Sequence, residues 1–169
     1  MKLEMIEKES FTGDYESVVL EQWKTCIAEA NGISEKRNNA NNIFITLNTT
    51  LFAVITFSLD YRSILLSAIG IAICILWIYT INSYKKLNSV KYEIINEMEL
   101  KLPLAPFTSE WDRLNNKYDY VRLTKIEKFI PWMFIILYSI SILYPVVKGL
   151  IAHICSCILR STPQISKQG

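Results

Sequence analysis

With 51% hydrophobic residues among 169 and a mean hydropathy of +0.22, the chain is more apolar than a soluble domain of its size. Its charged residues, 20% of the total, avoid three long windows, which marks an integral membrane protein rather than an apolar globule. A formal net charge of +2 without any basic block argues against nucleic acid as a partner.

Residues 1–42 read as a polar helical arm. Val18, Val19, Trp23, Ile27 and Ala30 recur mainly at three- and four-residue steps and draw one apolar stripe from about Tyr15 onward. Gly32 weakens the helix, but no proline separates the arm from the first apolar run, so the helix is expected to feed the membrane directly.

Residues 43–81 form a transmembrane hairpin. The uncharged run Ile43–Leu59 has 17 residues, the lower limit for a helix crossing a bilayer, and only "DYR" separates it from the uncharged run Ser63–Ile81. Two spans joined so tightly pack antiparallel. The first is oddly polar. Asn42, Thr46, Thr49, Ala53 and Thr56 step by 4, 3, 4 and 3, and Asn48 and Thr50 broaden this stripe. Either the stripe is a seam where small hydroxyl residues let helices approach, or it lines a hydrated pore in an oligomer. In span two, Ser67, Gly70 and Cys74 make a small-residue packing face. Tyr61, Trp77, Tyr79 and Trp132 are placed to anchor at headgroup depth.

Residues 82–128 form a charged segment. No Gly or Pro separates this segment from span two, so the two should form one helix from Ser63 to about Leu100, on the order of 55 Å against a hydrocarbon core of ~30 Å. Leu87, Val90, Ile94 and Met98 share one face of the excess, to be buried on the arm, on a neighbouring subunit, or on both. "LPLAPF" ends this helix, and Thr108 or Ser109 is expected to cap the next one. Thr124 and Glu127 have capping-box spacing before the third span.

The third span is 129–147, with Pro131 in its first turn and Pro145 expected to kink or end it. In the 148–169 tail, "GLIAHICSCIL" is too short for a comfortable fourth span and reads as lying along the interface or re-entering. The segment between spans two and three holds nine Lys and Arg, the arm five, and the hairpin loop only Arg62. By the positive-inside rule the N-terminus and the 82–128 segment are cytoplasmic.

No nucleotide-binding, hydrolase or metal-ligand motif is present, and His153 stands alone, so an enzyme, a metal site and a cofactor are not expected. The fold class is an all-α membrane protein with three transmembrane helices and long cytoplasmic extensions of the first two.

Three stretches together resemble the RipA-type octameric membrane protein family of bacteria. They are Asn88, Ser89, Lys91 and Tyr92; the run Glu97, Glu99, Leu102, Pro103, Pro106, Phe107, Glu110 and Trp111; and Ile126, Glu127, Lys128, Ile130, Pro131 and Trp132. "ISEKRNNANNIFITLNT" at 33–49 fits the same pattern, so the likeness covers roughly residues 15–145. It implies a small homo-octameric protein of the bacterial inner membrane. A more distant similarity is to SLATT-type membrane effectors, from which the third span departs. Two functions stay open: a pore or membrane-perturbing assembly with span one on its axis, or a non-conducting scaffold whose cytoplasmic ring docks a protein partner. Self, lipids and that protein are the expected partners.

Overall fold

The computed structural model describes residues 6–57, 61–117 and 123–161, with side chains for all of these but 61 and 157–161. The fold is all-α. A short 3-10 turn, Lys8–Ser10, precedes four α-helices: α1 (Tyr15–Phe57), α2 (Tyr61–Glu99), α3 (Pro106–Asn116) and α4 (Leu123–Ser161). No strand occurs among the described residues. The Tyr61 side chain, residues 58–60 and residues 162–169 of the tail lie outside them.

Asp14 sets the start of α1, its carboxylate accepting the Ser17 N–H at 3.3 Å as an N-cap does. From there the helix runs 43 residues without interruption, Gly32 included. Helix α2 is likewise continuous for 39 residues, as the absence of Gly or Pro between span two and its charged extension predicts. Helix α4 corrects an expectation. It passes through both Pro131 and Pro145 and carries residues 148–161 as its direct continuation, so Pro145 does not end it. Apolar surroundings favour this result, because an unwound segment there would leave backbone groups unbonded.

Three of the helices are long and apolar enough to cross a membrane: Tyr15–Phe57, Arg62–Glu99 and Leu123–Ser156. Their most apolar windows are only 11%, 28% and 11% buried, so most of that surface is left uncovered by the chain itself.

By contact the chain divides into two units. The first comprises Met1–Ile43 and Trp77–Phe129. In it α1 and α2 pack antiparallel, each step back along α1 matched by a step forward along α2. The Trp77 indole donates to Asn41 at 2.8 Å, Asn88 donates to Ser34 at 3.3 Å, and Lys91 pairs with Glu29. Ala30, Trp77, Ile81, Ile95 and Met98 are buried in this unit. Trp77 is therefore a core residue rather than the headgroup anchor its position suggested, whereas Tyr79 and Trp132 do face outward. The short helix α3 docks through Phe107, whose ring lies 6.0 Å from Trp23 and 6.0 Å from Tyr92.

The second unit comprises Phe44–Leu76 and Ile130–Gly169. Ile55, Cys74 and Tyr138 form its centre, with Phe52, Leu66, Ile71 and Phe134 packed around them. Its outer surface is apolar: Leu65, Ile69, Ile136, Ile140 and Leu143 are all exposed.

Candidate functional site

A polar side chain within an apolar span must find a hydrogen-bond partner, and Asn48 finds several. It is fully buried. Its amide donates to the Phe44 carbonyl at 2.8 Å, and its Oδ1 accepts the Cys74 thiol and the Tyr138 hydroxyl, each at 3.1 Å. The Tyr138 hydroxyl also reaches the Asn48 carbonyl at 3.1 Å. One asparagine thus ties α1 to α2 and α4.

Gly70 makes the reach of Tyr138 possible. A Cβ at that position would lie 2.4 Å from the ring's Cζ, so only glycine lets the phenol cross α2. Phe52 meets the same ring edge-on at 6.0 Å and Phe134 stacks on it at 6.3 Å. Ser63 and Ser67 complete the small buried face of α2, and the Ser67 hydroxyl has no hydrogen-bond partner among the described residues.

The remaining members of the sequence stripe are elsewhere. Asn42, Thr46, Thr49, Ala53 and Thr56 are all exposed. At about 100° per residue, α1 has three sectors. The inner one carries Asn48 and Ile55, and a small, polar one lies beside it. The third carries the large exposed side chains Leu47 and Val54, while Phe57 lies at the edge of the polar sector next to Thr46. Thr49 and Thr56 send their hydroxyl protons back to Ile45 and Ala53 carbonyls of their own helix.

On α2, the predicted stripe splits: Met98 is buried and Ile94 half-buried, while Leu87 and Val90 are exposed. Packing instead follows Trp77, Ile81, Asn88, Lys91 and Ile95, a face that mixes polar with apolar residues.

The motif residues have local structural roles. Glu99 is 1% exposed, and its carboxylate accepts the Phe107 and Thr108 N–H groups, each at 3.0 Å, and the Thr108 hydroxyl at 2.9 Å. It caps α3 from the end of α2. The expected cap at Thr108 or Ser109 is overturned: α3 begins at Pro106, whose ring suits a first helical position, and the Ala105 before it offers no side-chain cap. Pro103 bends the link between the two helices. Arg37, half-buried on α1, donates to Thr124 at 3.0 Å and pairs with Glu127. The pair with capping-box spacing therefore grips a guanidinium. Ser89, Glu110, Trp111 and Trp132 are exposed, Glu97 is half-buried, and Pro131 is buried.

The hydrogen bond from the Lys91 ammonium holds the Glu29 carboxyl below the usual carboxylate range, and the same bond raises Lys91.

Tyr138 and Arg37 were not singled out from the sequence as site residues, and Glu99 was named there only as a member of the motif. Its capping role had a signal in the sequence: an acidic residue seven positions ahead of a Pro-Phe helix start.

A model of the octameric membrane protein family (8xMP) matches residues 20–147. No curated protein and no solved structure matches the chain significantly.

Proposed function

Because the chain belongs to the octameric membrane protein family, it is a homo-oligomeric membrane protein, and we propose that the polar stripe of α1 faces the axis of that oligomer and lines a narrow conducting path. One observation carries this reading: Thr46, Thr49, Ala53 and Thr56 are exposed on a span whose buried polar group, Asn48, is fully partnered inside the protomer. Asn48 joins the three spans from the interior, and the stripe lies on the exposed surface beside it. Lipid suits the sector of Leu47 and Val54 better, which leaves the small hydroxyl sector for water or for a neighbour.

In this reading the protein sits in a bacterial inner membrane with residues 1–42 and 82–128 in the cytoplasm. The basic residues support that orientation, since fourteen Lys and Arg lie on those two segments against one in the hairpin loop. The assembly acts on the permeability of the membrane and not by chemistry on a substrate.

The purified octamer in a planar bilayer should show discrete conductance steps. Ala53→Trp should abolish them without changing particle mass. Silence of an intact octamer at every voltage overturns the proposal. A scaffold that docks a cytoplasmic protein is the second reading, favoured by the Thr49 and Thr56 hydroxyls, which spend their protons on their own backbone.

A further inference from the structure

Helix α4 outlasts the hairpin it packs on. Within the unit of Phe44–Leu76 and Ile130–Gly169, the Tyr138 hydroxyl meets Asn48 and its ring meets Phe52, which sets α4 and α1 roughly level at that point. As the first and third of three spans, α1 and α4 cross the membrane in the same direction. Nine residues beyond Asn48 the first span ends at Phe57, and nine beyond Tyr138 stands Val147. Charge marks the same level twice, with Arg62 exposed in the first turn of α2 and Lys148 exposed just after Val147. Charged groups keep to the water side of a bilayer, so the hydrocarbon ends about here. Residues 148–161, the last fourteen of α4, then rise on the order of 21 Å past the hairpin as unbroken helix. The family model matches only as far as residue 147, so this extension lies outside the matched region.

The extension has two unlike sides. Leu143, Val147, Leu150 and Ile154 step by 4, 3 and 4, the spacing of a heptad seam, and all are exposed. Ile151 flanks that line, whereas Lys148, Ala152 and Ser156 fall about 130–170° around the helix from it. Below Val147, lipid can cover the stripe. Leu150 and Ile154, 60% and 50% exposed, stand above the hydrocarbon, where lipid cannot. Because the helix is unbroken, it carries them away from the bilayer surface rather than along it. Among the described residues nothing else of this unit reaches that height, since α1 ends at Phe57 and α2 begins at Tyr61. In a homo-oligomer whose copies are inserted the same way, what does stand there is the α4 extension of another copy. The seam suits that occupant. Its β-branched Val147 and Ile154 alternate with Leu143 and Leu150, the choice that favours a parallel two-stranded coil.

We infer that the α4 extensions of two neighbouring copies pack in parallel beyond the hairpin and bury Leu150 and Ile154 against their counterparts. The inference rests on self-association and on three spans, and it is independent of conduction.

Single cysteines test it, because in a parallel seam each residue meets its own counterpart. The starting chain carries Cys155→Ala and Cys157→Ala. Leu150→Cys and, separately, Ile154→Cys should then form disulfide-linked dimers when membranes are oxidised by air with copper phenanthroline. Ala152→Cys, on the other side of the helix, should give severalfold less dimer, each yield being read above that of the starting chain. No dimer from either seam position in an oligomer of intact mass, or equal yields from seam and opposite side, would overturn the contact. As a second measurement, Leu150→Glu with Ile154→Glu should let the oligomer dissociate at a severalfold lower detergent concentration than Ala152→Glu does; equal dissociation of the two variants would also overturn it.

Discussion

Asn48, Tyr138 and Gly70 act as one device, and each substitution should show a different part of it. Tyr138→Phe keeps the ring but removes a donor shared between the Asn48 carbonyl and Oδ1. A single hydrogen bond of this kind is worth about 0.5–1.5 kcal/mol, toward the lower end inside a membrane. The melting temperature in mild detergent should fall modestly. Ser67→Ala should cost nothing or stabilise, because it removes a buried hydroxyl that has no partner among the described residues. Gly70→Ala is the severe change. Its Cβ at 2.4 Å from the Tyr138 ring forces backbone or ring to move, an overpacking of about 1–3 kcal/mol or more. If the clash is the cause, Tyr138→Leu should remove most of the Gly70→Ala penalty in a double-mutant cycle, whereas additive losses would deny the coupling. The sequence alone demanded a partner for Asn48. It did not say which, because Tyr138 is 90 residues away and reads as an ordinary aromatic in an apolar run.

Among the elements, α3 depends most on a single side chain. Eleven residues are too few for a stable isolated helix, so α3 must be held by its cap and by Phe107. Glu99→Ala removes three hydrogen bonds and the negative charge at the N-terminus of α3. Amide exchange across residues 106–116 should then accelerate at least tenfold, with exchange in α1 and α2 little changed; unaltered protection of α3 would show that Phe107 packing suffices. The Glu29–Lys91 pair between α1 and α2 gives a weaker, pH-dependent effect. Glu29 is lowered, so its contribution is present above the ordinary carboxyl pKa of 4.5 and fades as pH drops through the lowered value. Lys91 is raised, so its contribution is full below 10.5 and is lost on going higher. Both groups are open to solvent, and Lys91→Met should flatten this dependence with only a small change in stability near pH 7. The continuity of α2 into its charged extension was legible in the sequence because no Gly or Pro intervenes, whereas the passage of α4 through Pro145 was not. The packing face of α2 was not, since hydrophobic periodicity follows Leu87, Val90 and Ile94, whereas the helix contacts α1 through polar Asn88 and Lys91.

For the whole molecule, the number and order of the spans followed from where charge is absent, the most robust signal a membrane imposes on a sequence. What each span faces was not legible, because a stripe of Thr and Ala satisfies a helix seam and a water path equally well. The structure narrows the choice by burying Asn48 and exposing Thr46, Thr49, Ala53 and Thr56, which turns the question from how one chain packs into where eight chains direct that stripe. Thr49→Ile with Thr56→Ile separates the answers, since it enlarges the stripe without adding charge or removing an interior contact. On the axis, the larger side chains should narrow the path and lower conductance severalfold at constant particle mass. In a tight seam between copies, the same methyl groups should force neighbours apart and lower the mass before conductance can be read. Facing lipid, they should change neither, because acyl chains accept isoleucine as readily as threonine. Fixed mass with reduced current is the result expected here, and either of the other two would move the stripe away from the centre of the ring.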